Sequence, residues 1–400
     1  MKIYFPILFL LIVGCSSPLQ TDNLLTIDVE KAFNNVCDIF LSDFADEIEY
    51  IPLETLTGSV TGSYLRVFAT DSYLIAISFR YNQLFDRKTG KFIREIGRFG
   101  KGPNDFMATT VRVPFDENRL TIRSTNPQMN SIEYDLEGKV VRTILYPSNY
   151  RINVNVMKDM IPLEDKYFVT YINNNTGNEP DKLLVFDDKG NIFNRYPNFH
   201  SFAVNDSRST FSYWVFNKWK NNVFFYENCV DTLFKVTKDD ITPYCRFHLG
   251  KYNPPYSEKQ NLYSPNENPR ISNFIVFRTI NESERFLFFS FLYGETLLNN
   301  NPPLYFGYYD KKKKTNKISN VDHIKQSPVI NDLDDFAPWH PFIWSVNQSD
   351  EMVAYMEAGD IADWFKKNPE KAKKLPEHLK KLSKLTPEDN PVVIIAKLKI

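Results

Sequence analysis

Residues 83–96 read QLFDRKTGKFIREI, residues 131–144 read SIEYDLEGKVVRTI, and residues 182–196 read KLLVFDDKGNIFNRY. Each stretch runs from an apolar strand through an aromatic to an aspartate. A short polar turn with a glycine follows, and then a second strand. Aspartate bonds its own local backbone and glycine takes positive φ, so each stretch predicts a hairpin. Asp86, Asp135 and Asp187 are spaced about 50 residues apart, a period that suits propeller blades or solenoids. Degenerate copies follow at Thr232–Phe247, which lacks the glycine, and at Leu304–Ser319, which carries lysines in the turn.

Two further β-like runs precede each hairpin. For the first unit they are Tyr64–Ala69 and Tyr73–Phe79, and for the fourth Phe211–Asn217 and Asn222–Tyr226. Four strands per unit is the blade of a β-propeller. Strand solenoids have shorter rungs, and immunoglobulin-type domains need about 100 residues each. Five blades fall near 64–96, 106–145, 152–196, 211–249 and 272–319. The sixth is assembled from His340–Val346, Met352–Glu357 and Asn390–Ile400, with the early run Glu47–Glu54 pairing in to close the ring and remove its exposed edges. Between its strands, about 360–388, Ala, Lys, Leu and Glu dominate and prolines mark breaks, which predicts a helical insertion. The expected fold is all-β: a six-bladed propeller of four-stranded blades spanning 46–400.

The bulk composition agrees. Of the 400 residues 42% are hydrophobic and 15% aromatic, mostly Phe and Tyr, which favour strands. A net charge of −1 argues against a nucleic-acid partner. The densest basic run, Lys311–Lys314, reads as a solvated hairpin turn.

MKIYFPILFLLIVGCSS opens the chain. Its apolar run, Ile3 to Val13, is too short to span a bilayer, which takes about 20 residues, and fits a secretory signal over 1–14. The polar stretch from Cys15 to residue 45 reads as a tether. Cys37, Cys229 and Cys245 remain. Cys229 and Cys245 could bridge neighbouring strands, but the odd count and the lack of C-x-x-C spacing favour buried free thiols.

Chemistry-bearing motifs are few. IGRFGKGPNDF, residues 96–106, has the glycines and lysine of a phosphate loop. A P-loop needs G-x-x-x-x-G-K-[ST] before a helix, and a dinucleotide loop needs G-x-G-x-x-G between strand and helix. Here Pro103 and Asn104 follow Gly102 and no helix follows, so the loop reads as the crossing between two blades. That crossing would set Arg98, Lys101, Asn104 and Asp105 on a rim beside the channel mouth as a candidate binding rim. The five histidines make no H-E-x-x-H and G-x-S-x-G is absent, so neither a metalloprotease nor an α/β-hydrolase is supported. Asp334, Asp335, Trp339 and His340 lie together before the last blade. They could serve acid–base chemistry or hold a calcium-type divalent ion, or simply anchor a loop through Trp339 with the acids in water. No other cofactor is expected. Phe211–Lys220 could stack on sugars, but its strand periodicity points to core.

Several of these stretches resemble the six-bladed β-propeller lipoproteins of Bacteroides and related bacteria. The matching pieces are Gly14-Cys15-Ser16-Ser17 after the apolar run, IPLET at Ile51–Thr55, Phe85–Phe106 with its G-x-x-G-x-G-P loop, DLDDFAPWHPF at Asp332–Phe342, and NPVVIIAKLKI after a Lys-rich helix. The resemblance covers most of 46–400. It implies lipidation at Cys15 and anchoring to the outer membrane of a Gram-negative cell; Ser16 and Ser17 follow Cys15 without an acidic cluster, which favours the periplasmic side slightly over the cell surface and leaves the orientation open. It also resembles NHL-type propellers, which mostly bind through one face and include some lyases and hydrolases. The expected function is a lipid-anchored envelope module binding a protein, peptide or glycan, with a channel lyase or hydrolase as the alternative.

Overall fold

The computed structural model describes residues 24–62, 65–107, 115–117, 120–125, 130–148, 157–164, 166–204, 214–259, 273–293, 304–320, 327–336 and 345–400. Before the ring the chain forms β1 (Leu25–Asp28), α1 (Val29–Phe33) and β2 (Ile39–Phe40), then β3 (Ala45–Pro52). Blade 1 is β4 (Arg66–Ala69), β5 (Tyr73–Ile77), β6 (Asn82–Asp86) and β7 (Phe92–Glu95). Blade 2 is β8 (Phe115–Asp116), β9 (Thr121–Thr125), β10 (Ser131–Asp135) and β11 (Val140–Ile144). Blade 3 is β12 (Met157–Glu164), β13 (Tyr167–Ile172), β14 (Asp181–Asp187) and β15 (Ile192–Pro197). Blade 4 is β16 (Trp214–Trp219), β17 (Asn222–Glu227), β18 (Thr232–Val236) and β19 (Ile241–His248). Blade 5 is β20 (Val276–Glu282), β21 (Phe286–Leu292), β22 (Leu304–Asp310) and β23 (Thr315–Asn320). After the short β24 (Val329–Ile330), blade 6 joins β25 (Ser345–Val346), β26 (Glu351–Met356) and β27 (Val392–Leu398) to β3 as its outermost strand. Every blade is antiparallel, and Val393 opposite Ile51 fixes the closing register. The sequence reading of six four-stranded blades closed by Glu47–Glu54 holds.

The repeated hairpin turn is what docks one blade on the next. Gly90 presents its carbonyl to the Glu54 amide at 2.9 Å, where the chain leaves blade 6. A Cβ on Gly90 would collide with the Pro52 carbonyl, and its φ of +70° also favours glycine. Gly190 repeats the arrangement against Leu145 and Tyr146, leaving blade 2. The aspartate ahead of each turn accepts from turn amides: Asp86 from Thr89 at 2.8 Å, Asp135 from Lys139 at 2.8 Å, Asp187 from Asn191 at 2.9 Å. In blade 5 Asp310 does the same for Lys312 and Lys313, and Lys314 takes the left-handed position at φ +56°.

The segment expected to be a tether is, from residue 24 on, a belt around blades 4, 5 and 6. β1 pairs in parallel with β19, the Cys37 amide bonds the Ile318 carbonyl at 2.9 Å, and β2 pairs with β24. Its apolar residues are scattered, which hid them in the sequence, yet Ile27, Val29, Ile39, Leu41 and Phe44 are all buried. Each such side chain contributes about 1.5–3 kcal/mol on burial. Phe33 meets Tyr252, Phe291, Tyr293 and Tyr305 edge-on, and Phe44 sits among Phe286, Phe288 and Tyr308.

The helical insertion is α2 (Ala358–Lys367), α3 (Pro369–Lys374) and α4 (Glu377–Lys380) with a short 3₁₀ turn after it. Leu375, Leu379 and Leu382 are buried in the main core as the amphipathic pattern implies. Among the described residues no helix is long and apolar enough to cross a membrane. Cys229 and Cys245 are buried free thiols, and burial pushes both well above the ordinary thiol range.

Candidate functional site

Strand order sorts the loops. The turns between first and second strands lie at one end of the ring, and the second-to-third connections and the blade-to-blade crossings lie at the other. The first end is tied by charges from several blades. Lys218 reaches Asp116 at 3.7 Å, Lys220 pairs with Glu284 at 2.6 Å and lies 3.8 Å from Asp350, and the Gln348 amide bonds Glu117 at 3.3 Å. Fully buried Arg123 pairs with Asp116 at 3.1 Å and Glu133 at 2.8 Å. Burial, with Asp71, Asp116 and Glu351 nearby, pushes the Glu117 carboxyl up to about 7.

The crossing end carries both sites considered below. IGRFGKGPNDF is the crossing from blade 1 to blade 2, as its place in the repeat requires. Asp105 is buried and fills the loop: it accepts from Arg98 Nε at 2.9 Å, Arg98 Nη2 at 3.1 Å and the Gly102 amide at 2.8 Å. A Cβ on Gly100 would collide with the Asp105 carboxylate, and one on Gly102 would stand 2.8 Å from it. The glycines therefore cradle an anion, but the anion is the loop's own side chain. The Asn104 carbonyl accepts from Tyr134 Oη at 2.8 Å.

Of the four rim residues, then, Asp105 is an internal clasp and Asn104 joins blade 2 through its backbone. Arg98 and Lys101 face solvent. Beside them three aromatics are exposed: Phe79 and Tyr81 between β5 and β6, and Phe99 in the loop. Phe79 and Phe99 are 6.1 Å apart, and the Arg80 guanidinium sits 5.7 Å over Phe99.

Where it is described, the acidic loop before blade 6 is held by hydrogen bonds and ring contacts. Asp334 accepts from Asn331 Nδ2 at 2.7 Å, the Phe336 amide at 2.9 Å and Tyr50 Oη at 3.3 Å. Burial, with Asp334 beside it, raises the Tyr50 hydroxyl well above its ordinary range. Asp335 is exposed with φ +57°. Phe336 anchors the loop against Tyr50, Trp364 and Phe365. Trp339, His340 and the lipidation candidate Cys15 lie outside the described residues. Among the described residues no three metal-type ligands converge.

A second cluster, between blades 3 and 4, has no counterpart in the sequence reading. Glu227 ends β17 and is 2% exposed. Its carboxylate pairs with Lys182, at the start of β14, and with Lys259, in the crossing to blade 5. Tyr171 Oη donates to Glu227 at 2.7 Å and Tyr256 Oη at 3.1 Å. Lys259 also donates to both phenol oxygens, at 2.9 and 3.0 Å. Trp214 stacks on Tyr171, and His200 stacks on Tyr256 with centroids 4.6 Å apart. Burial alone would push the Glu227 carboxyl up, but the two ammonium groups hold it well below the usual range. Lys259 is held well above its usual range, the pull of Glu227 overcoming burial. Burial and the lysines lower the His200 pKa. No local motif announces this site, because its members come from separate stretches. The one signal was a charged residue at the end of an apolar strand, the glutamate of NVFFYE and the lysine of KLLVFD.

Fold and site together define a six-bladed propeller whose crossing end carries an aromatic–cation patch and a buried ion cluster. The chain belongs to the family described as Domain of unknown function (DUF4934), whose model matches residues 24–397. It is similar in structure to a candidate exported protein of Bacteroides fragilis, with TM-score 0.64 and 16% identity over 94% of this chain and 99% of that one. It is also similar to a DUF4221 member from Bacteroides vulgatus, with TM-score 0.52 and 10% identity over 89% and 97%. No curated protein matches the sequence.

Proposed function

We propose that this protein is an exported, lipid-anchored propeller that binds a partner in the cell envelope through the crossing end of its ring. The carrying observation is the exposed pair Phe79 and Phe99 with Arg80 over Phe99, and exposed Tyr81, Arg98 and Lys101 close by in the same two connections. Solvent-facing aromatics grouped with cations form a contact surface of the kind that anchors interfaces. The internal Asp105 clasp holds Phe99 and Arg98 in place beforehand, so little ordering is lost on binding. The surface suits a protein or peptide that offers an apolar residue flanked by acids. Export and anchoring draw support from the Gly14-Cys15 start and from the similar exported-protein candidate of Bacteroides fragilis. On this reading the anchor would hold the module at the outer membrane, facing the periplasm.

A photo-reactive amino acid at position 99 tests this in envelope preparations, with position 193 as control. Phe193 is an exposed aromatic on β15, the outermost strand of blade 3. Discrete adducts from position 99 alone are expected. Equal labelling from both positions, or none from 99, refutes the proposal.

A further inference from the structure

The cluster between blades 3 and 4 carries a surplus of positive charge. Its hydrogen-bonded members are two ammonium groups, one carboxylate and two phenols. The phenols of Tyr171 and Tyr256 stay neutral, since burial raises both. Burial and the lysines keep His200 neutral at neutral pH. Among the described residues Glu227 is the one carboxylate bonded to the two ammonium groups of this nearly dry site, an imbalance that is costly unless a further anion joins it. Asp181, next in sequence to Lys182, already pairs with Arg195 at 2.5 Å.

The imbalance has a way out. Lys259 is 1% exposed, but the Lys182 side chain keeps 11% of its surface open. An ammonium has three donors, and among the described residues Lys182 donates to Glu227 alone. Lys182 Nζ lies 5.7 Å from the Tyr256 ring, on which His200 stacks, and Phe199, next to His200 in sequence, is 86% exposed. A group with a single negative charge balances the cluster, whereas a dianionic phosphate would reverse its sign.

We propose that Lys182, backed by Lys259, Tyr256 and His200, forms a carboxylate-binding site that takes the terminal carboxylate of a peptide. The apolar last side chain of that peptide lies against the His200–Tyr256 stack and Phe199. This rests on the crossing end being the binding face, since every member belongs to a connection or strand end there.

Titration calorimetry on the detergent-solubilised full chain is the test, with N-acetyl-phenylalanine, its amide and glucuronate as probes. The acid is expected to bind and the amide to bind at least about tenfold more weakly, the loss of one charge-assisted contact. Lys182→Met is expected to weaken the acid at least about tenfold without lowering the melting temperature, because it leaves Glu227 and Lys259 as a balanced pair. Lys182→Arg keeps binding within about threefold. Equal binding of acid and amide, no binding of either, or full binding by Lys182→Met overturns the site. Binding of glucuronate but not of the acetylated amino acid overturns the peptide assignment. Labelling at position 99 is read separately: its failure removes the blade 1 surface, and calorimetry alone then decides whether the crossing end binds through this cluster.

Discussion

Glu117→Gln should stabilise the protein in a strongly pH-dependent way. Glu117 sits at the tied end of the ring, partly buried, with Asp71, Asp116 and Glu351 around it. Its carboxyl is pushed from an ordinary 4.5 up to about 7. A folded-state pKa above the unfolded one means full stability below the unfolded value, lost as pH rises through the folded value. The wild type therefore loses stability from this group between about pH 4.5 and pH 7, and little more above. At about 1.4 kcal/mol per pKa unit, the shift caps the loss at about 3 kcal/mol. Glutamine carries no charge and still offers an oxygen to the Gln348 amide, now 3.3 Å from Glu117. Urea unfolding of both proteins at pH 4, 6 and 8 reads the difference, and other titrating groups cancel in it. The variant should match the wild type at pH 4 and gain up to about 3 kcal/mol at pH 8. A constant difference across pH, or a less stable variant at pH 8, refutes the reasoning.

The remaining predictions concern the crossing end and the turns. Glu227→Gln strands two buried ammonium groups and should cost about 3–5 kcal/mol at pH 7 by denaturant unfolding. Because the Glu227 pKa is depressed on folding from an ordinary 4.5, its contribution is present above about pH 4.5 and fades as pH falls below that, so variant and wild type should converge in acid. Gly102→Ala puts a methyl against the Asp105 carboxylate and should lower the melting temperature, whereas adding it to Asp105→Ala should cost much less. Additive losses in that cycle would show that the glycine answers to something else. Lys314→Gly relieves a left-handed lysine and should stabilise by about 1 kcal/mol in thermal unfolding.

The fold was legible because its signal is local and repeated. Asp86, Gly90 and their counterparts mark the hairpins of blades 1, 2 and 3, and Gly90 and Gly190 let their turns seat on the preceding blade. The belt was not legible, since Ile27, Ile39 and Phe44 each insert singly and show no period of two or of three and a half. For the sites, position in the repeat correctly turned the glycine loop from a phosphate cradle into a crossing. It could not show that Asp105 points inward while Phe79 and Phe99 point out. The Glu227 cluster was invisible because Lys182, Glu227 and Lys259 meet only when blades 3 and 4 stand side by side.

The belt has a mechanical consequence. A pull on the chain ahead of residue 24 meets β1 first, four residues held along one edge of β19. Next come the two-residue pairing of β2 and the single rings of Phe33 and Phe44. Only after these yield does force arrive at β3, the strand that shuts the ring. Tension on the leading segment would be spent in small successive releases along blades 4 and 5, and the toroid would stay whole while its leash lengthened.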